Sequence, residues 1–216
     1  MRKTRKTTLV LGLAVLALAW LGPLPMLARH SFAAHMTGHI AVVAIAAPLL
    51  ALAIAGTRSD PVRAMPSIVS PIPASMIELV VVWAWHVPAL HVAARSEPSV
   101  LVVEQATFLG AGLLLWIAAI GGDLEQRRVR AGGGIVALLF TSMHMTLLGA
   151  LFALANRPLF HHASSSEAVT ATDQHVGGVI MLLVGGASYL LGGLWLTAIA
   201  LRPGSTRAAG PEGSPV

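Results

Sequence analysis

The sequence predicts an all-α fold, a polytopic membrane bundle of about six transmembrane helices. Three observations point there. Of the 216 residues, 56% are hydrophobic and only 11% are charged. The mean hydropathy of +0.77 lies far from the balance of a soluble domain. Apolar runs long enough to cross roughly 30 Å of hydrocarbon recur along the chain, separated by segments rich in Arg, Pro, Ser and Gly.

Taken in order, the runs place spans near residues 9–28, 36–56, 72–93, 99–121, 132–155 and 175–201, so that residues 1–201 form one bundle. The remaining stretch, 202–216, reads "RPGSTRAAGPEGSPV" and is expected to be a disordered cytoplasmic tail. The first run, "MRKTRKTTLVLGLAVLALAWLG", also has the basic and apolar regions of a secretory signal. Met26 stands where a small residue should precede cleavage after Ala28, so the run is read as a retained span. Cleavage would leave five spans and the same outer face.

Positive charge sets the orientation, because cytoplasmic loops retain Lys and Arg. With the N-terminus inside, the inner side holds Arg2, Lys3, Arg5, Lys6, Arg58, Arg63, Arg127, Arg128, Arg130, Arg202 and Arg207. The outer side holds only Arg29, Arg95 and Arg157, one in each external loop. Both termini are therefore expected in the cytoplasm, with the protein multi-pass in a bacterial inner (plasma) membrane and in contact with its lipid. The net charge of +5 reflects this topology and gives no reason to expect a nucleic-acid partner. The absence of cysteine removes thiolate metal sites, disulfides and Cys nucleophiles, so a soft metal ligand must be His or Met. No hydrolase elbow, nucleotide loop or acidic Mg²⁺ site is present, and an enzyme is not expected.

On this topology eight of the nine histidines fall on the outer side. His30, His35, His39, His86, His91, His161, His162 and His175 map to the outer loops or outer helix ends, and only His144 lies deep. In "SFAAHMTGHIAVV", His35 and His39 are four residues apart, which puts both imidazoles on one helix face about 6 Å apart. That spacing can chelate copper, zinc or iron, with Met36 beside it; it also suits two interfacial histidines that solvate a helix start.

In "VVVWAWHVPALH", Pro88 cannot return an amide to Ala84, so a kink beside His86 is expected, with room for a polar pocket. Trp83 and Trp85 read as an interfacial aromatic belt. Glu104, in "VLVVEQATFLGAG", is a carboxylate inside the fourth span and should face the bundle to meet a partner or a metal. Glu78, nearer the inner end of the third span, is expected to pair with Arg58, Arg63 or Arg127.

His144, between Met143 and Met145 near the middle of the fifth span, is the deepest polar group. Imidazole and thioether together suit monovalent copper, although helix geometry prevents both methionines from sharing its face. A histidine bonded to a neighbouring helix is the rival reading. Asp173, in "TDQHVGGVIMLLVGG", is placed to cap the sixth span, with His175 and Met181 following it down the helix. Gly178, Gly185 and Gly192 recur at seven residues and are expected to let a neighbouring helix approach closely.

Five of these segments, "HMTGHIAVVAIAAPLLAL", "WAWHVPALH", "VEQATFLGAGLLLW", "MHMTLLGALFALANRPLF" and "TDQHVGGVIM", resemble in order and spacing the multi-span CtaG-type cytochrome c oxidase assembly factors. The resemblance covers residues 29–201. It implies an integral membrane helper in the maturation of haem-copper oxidase, handling copper at the outer face. Its partners would be oxidase subunits. By motif it implicates His35 and His39, His86, Glu104, His144, and Asp173 with Gln174. Gly38 stands where the family usually has Gln, Leu101 and Gln105 where it commonly has His, and Leu182 where it commonly has Trp.

The reading that follows is a membrane assembly factor and copper chaperone. His35, His39, His86, His144, Met145 and His175 are its candidate ligands, with Met36, Glu104, Asp173, Gln174 and Met181 in support. Neutral imidazole would be required, so binding should weaken as pH falls towards and below about 6.5. Two alternatives remain open, a b-type haem protein with His39 and His86 as axial ligands, and a metal permease with His144 and Met145 at the midplane.

Overall fold

The computed structural model describes residues 2–160 and 167–202. His161, His162, Arg207 and the tail from residue 203 lie outside the described residues. Helix α1 (Arg2–Leu21) is followed by a short turn α2 (Leu24–Leu27). The second span starts as α3 (Phe32–Ile40), passes through a π-helical segment (Ala41–Ala46) and ends as α4 (Ala47–Ile54). After the short α5 (Pro61–Ala64) come α6 (Pro71–Trp85), α7 (Pro88–Ser96), α8 (Pro98–Ile120) and α9 (Leu124–Ala153). The last span is α10 (Glu167–Ile180), a second π segment (Met181–Gly185) and α11 (Gly186–Ala200). Among the described residues there is no strand.

Five helices are long and apolar enough to cross a membrane, and six if α6 and α7 count as one broken span bent by 73°. The break falls where Pro88 predicts it. His86 closes α6, and Pro88 opens α7 at the position where its missing amide costs nothing. The fifth span, α9, begins at Leu124, ahead of the Gly132 start expected from hydropathy. The reason is local: Asp123 accepts from the Gln126 amide at 3.0 Å, and the Gln126 side chain accepts from the Asp123 amide at 3.1 Å.

Basic residues gather at one end of the bundle, where they bond to carbonyls at helix C-termini and turns. Arg5 reaches Ala55 O at 3.0 Å, Arg63 reaches Gly56 O at 3.1 Å, and Arg127 reaches Ile120 O at 2.6 Å. Arg130 bonds to the Pro66 and Val69 carbonyls. The buried Asp60 carboxylate ties two turns together, accepting from Gly56 N and Gly122 N, each at 2.6 Å, and from Val62 N at 3.0 Å. Gly56 (φ 69°) and Gly122 (φ 82°) take the left-handed backbone these turns need.

Two expectations are corrected in this half. Glu78 does not pair with arginine. It is fully buried and accepts from the Tyr189 hydroxyl at 2.5 Å, while Arg63 and Arg127 are engaged by backbone carbonyls. The π segment explains how this polar node forms, because an extra residue in the turn frees carbonyls for side chains. Val43 O accepts from Trp116 Nε1 at 3.0 Å and from Tyr189 at 3.3 Å, and Ala44 O accepts from Ser188 at 2.6 Å. The glycine stripe of the last span is also not uniform. A Cβ at Gly178 would meet the backbone of α9 at Ala153 N (2.4 Å) and Gly149 O (2.7 Å), whereas one at Gly185 would meet the Ile40 side chain, and at Gly192 the Trp116 ring. The second π segment ends at Gly185, which breaks the seven-residue phase.

Candidate metal centre

At the opposite end of the bundle from the arginine-rich turns, four histidines converge from three elements. The i, i+4 spacing on α3 sets His35 and His39 6.4 Å apart between ring centroids, nearly parallel at 12°. The break after α6 turns His86 inward, 5.8 Å from His35 and 5.4 Å from His39. His91, one turn into α7, stands edge-on to His35 at 4.8 Å. All four are buried, at 5% exposure or less. Ligand atoms of His35, His91 and the buried Glu104 lie within 4.8 Å of one another.

The rings differ in what they have left to offer. Val82 O accepts from His86 Nδ1 at 2.6 Å, which fixes the proton there and leaves the Nε2 lone pair directed elsewhere. A carbonyl behind one ring nitrogen is the usual support of a metal-ligating histidine. His86 Nε2, both nitrogens of His39 and Glu104 Oε1 are buried without a hydrogen-bond partner. Buried polar atoms left this way cost about 1–3 kcal/mol each, so the donor set fits an ion that several of them share. Phe108, 4.0 Å from the His39 ring, together with Phe152 and the stacked pair Phe32 and Phe160, surrounds the rings with apolar walls.

Arg95 enters this cluster although its sequence position reads as an external loop cation. It sits one turn beyond His91 on α7, donates to His35 Nδ1 at 3.0 Å and forms an ion pair with Glu104. The clue was the spacing: His91 and Arg95 are i, i+4 on a short helix, as His35 and His39 are on theirs.

A comparison with known families settles which kind of protein carries these helices, because one family's sequence model matches residues 1–202. The chain belongs to the cytochrome c oxidase caa3 assembly factors (Caa3_CtaG). No curated protein and no solved structure matches it.

Other candidate residues of this assembly factor are placed apart from the four-histidine cluster. Asp173 lies inside α10 and does not cap the sixth span. Because α10 starts at Glu167, Asp173 is well past the free amides of its own helix, and its carboxylate caps α3 instead. It accepts from Phe32 N at 2.5 Å, Ser31 Oγ at 2.7 Å and Ala33 N at 3.3 Å. Gln174 accepts from Leu159 N at 2.6 Å and donates to Phe152 O at 3.3 Å, and His175 Nε2 donates to Ala155 O at 2.9 Å. Met36, Met145 and Met181 are fully buried in the apolar core, whereas Met143 is 60% exposed. His144 is buried beside Phe140, both its nitrogens without a partner. His30 is exposed.

Proposed function

We propose that this assembly factor takes up monovalent copper at the outer, periplasmic face of a bacterial inner membrane and holds it for cytochrome c oxidase subunits. The role is binding and assembly rather than catalysis. One observation carries the copper reading: His35, His39 and His86 converge in a buried pocket, with His39 and His86 retaining unshared ring nitrogens. Imidazole donors in an apolar, cysteine-free shell suit copper, and a low coordination number suits the monovalent ion. The excess of Lys and Arg at the opposite end supports an outward-facing cluster and cytoplasmic termini.

The same geometry favours a compact ion over a haem. The His39 and His86 rings meet at 66°, 5.4 Å apart, and Phe108 packs at 4.0 Å against His39, so there is no flat slot between the rings.

A deletion strain tests this reading, assayed for oxidase activity and for copper in the purified oxidase. Activity and copper should both fall and return with the wild-type gene. The His39→Ala/His86→Ala gene should fail to restore them despite normal membrane levels of the protein. Full oxidase activity in the deletion strain at limiting copper would exclude the assembly role.

A further inference from the structure

The residue that most needs an explanation is Arg95, a cation inside a site proposed for a cation. Its guanidinium bonds to His35 Nδ1 at 3.0 Å and pairs with Glu104, two of the three groups whose ligand atoms lie within 4.8 Å of one another. While it stays, the His35 Nδ1 lone pair and one Glu104 oxygen are taken. It is not fully tied down. Its Nε has no hydrogen-bond partner, and its side chain keeps 11% exposure where that of Glu104 keeps none.

There is also somewhere for it to go. Arg95 borders two cavities, an apolar one of about 320 Å³ between α1 and α8 and a smaller, more polar one of about 140 Å³. The smaller is lined by Arg29, Ser96 and Pro98, all exposed at the mouth of the bundle, so a rotated guanidinium would reach water there, beside a second cation that the solvent screens. Arg95 lies in the last turn of the nine-residue α7, beyond the 73° break, and the backbone need not unfold for the side chain to turn.

We propose that Arg95 is an exchangeable internal counter-ion. Its guanidinium holds Glu104 and His35 in the metal-free protein and turns out into the Arg29–Ser96 cavity when a metal ion takes those ligands. The inference rests on the copper reading and adds a mechanism of closure to it. A buried carboxylate without a cation is costly, so the guanidinium keeps Glu104 charged and in place until a metal arrives. Replacing one monovalent cation by another leaves the charge beside Glu104 unchanged, which is the cheapest exchange a low-dielectric pocket allows. A permanent structural clamp would instead oppose the metal.

The test uses the full-length protein in detergent, titrated with Cu(I) against a competing chelator, with arginine-selective phenylglyoxal labelling read by peptide mass spectrometry. Cu(I) loading should raise labelling of Arg95 several-fold. Arg95→Gln should bind Cu(I) roughly tenfold or more tighter while its metal-free form melts at a lower temperature, because breaking the pair destabilises only the empty state. If Arg95→Gln does not fold, the labelling of the wild-type protein decides alone. Copper binding with unchanged or reduced labelling of Arg95 overturns the exchange and leaves the copper reading intact. A wild-type protein that takes up no Cu(I) overturns both.

Discussion

The Asp173 carboxylate caps the amide of Phe32 at 2.5 Å, across 141 residues of sequence, and so joins the last span to the start of the helix that carries His35 and His39. Ser31 Oγ, which accepts from Ala34 N at 3.1 Å, donates to the same carboxylate at 2.7 Å. Asp173→Ala should therefore act twice. Loss of the cap should destabilise the protein by about 1–2 kcal/mol, seen as a lower melting temperature in detergent. Copper affinity should fall because the His35 turn frays. Asp173→Asn retains one acceptor and should lie between the two; a melting temperature unchanged in both variants would contradict the cap.

At the other end of the bundle, stability and copper binding should separate. Tyr189→Phe removes the hydroxyl that donates to the buried Glu78 at 2.5 Å. The orphaned carboxylate should cost about 1–3 kcal/mol. Copper affinity should change by less than about twofold, as expected of a site that shares no partner with Glu78. Thermal unfolding and a copper titration on the same preparation check both halves of this expectation.

Helix approach sets a third expectation. At Gly178 an added Cβ would lie 2.4 Å from Ala153 N and 2.7 Å from Gly149 O, both backbone atoms that cannot rotate away. Gly178→Val should prevent α10 from seating on α9, and size-exclusion chromatography of the membrane extract should show aggregated rather than monodisperse protein. Gly110→Ala, where a Cβ would meet nothing within 4 Å, is the control and should behave as wild type.

Within the candidate site, His91 and His175 should respond in opposite ways although both are outer-side histidines. His91 stands 4.8 Å from His35 and shares the Glu104 cluster, whereas His175 is bonded to Ala155 O at 2.9 Å. His91→Ala should weaken Cu(I) binding by roughly tenfold or more. His175→Ala should leave it within about twofold. Equal losses in the two variants would mean that the cluster is not where the ion sits.

How much of this was legible in the residues depends on the range over which each interaction acts. The spans follow from hydropathy, the break at His86 from Pro88, and the convergence of His35 with His39 from helix periodicity, all local properties. The role of Asp173 is not legible locally, because a cap on a remote helix leaves no local pattern; its donors lie at Ser31, Phe32 and Ala33. Arg95 reads as an external charge because charge statistics ignore the helix it sits on, whose spacing with His91 holds the information. Glu78 reads as an ion-pair partner because the topology puts it at the same inner end as Arg58, Arg63 and Arg127. The π segment that collects Trp116, Tyr189 and Ser188 around the Val43 and Ala44 carbonyls has no sequence signature in hydropathy.

The most direct measurement is Cu(I) stoichiometry and K-edge X-ray absorption on the purified protein beside His39→Ala/His86→Ala. The wild type should bind about one ion with an imidazole nitrogen shell, and the variant should lose it while keeping its helical circular dichroism. No copper uptake by the folded wild type, or equal uptake by the variant, would contradict the outward-facing histidine site.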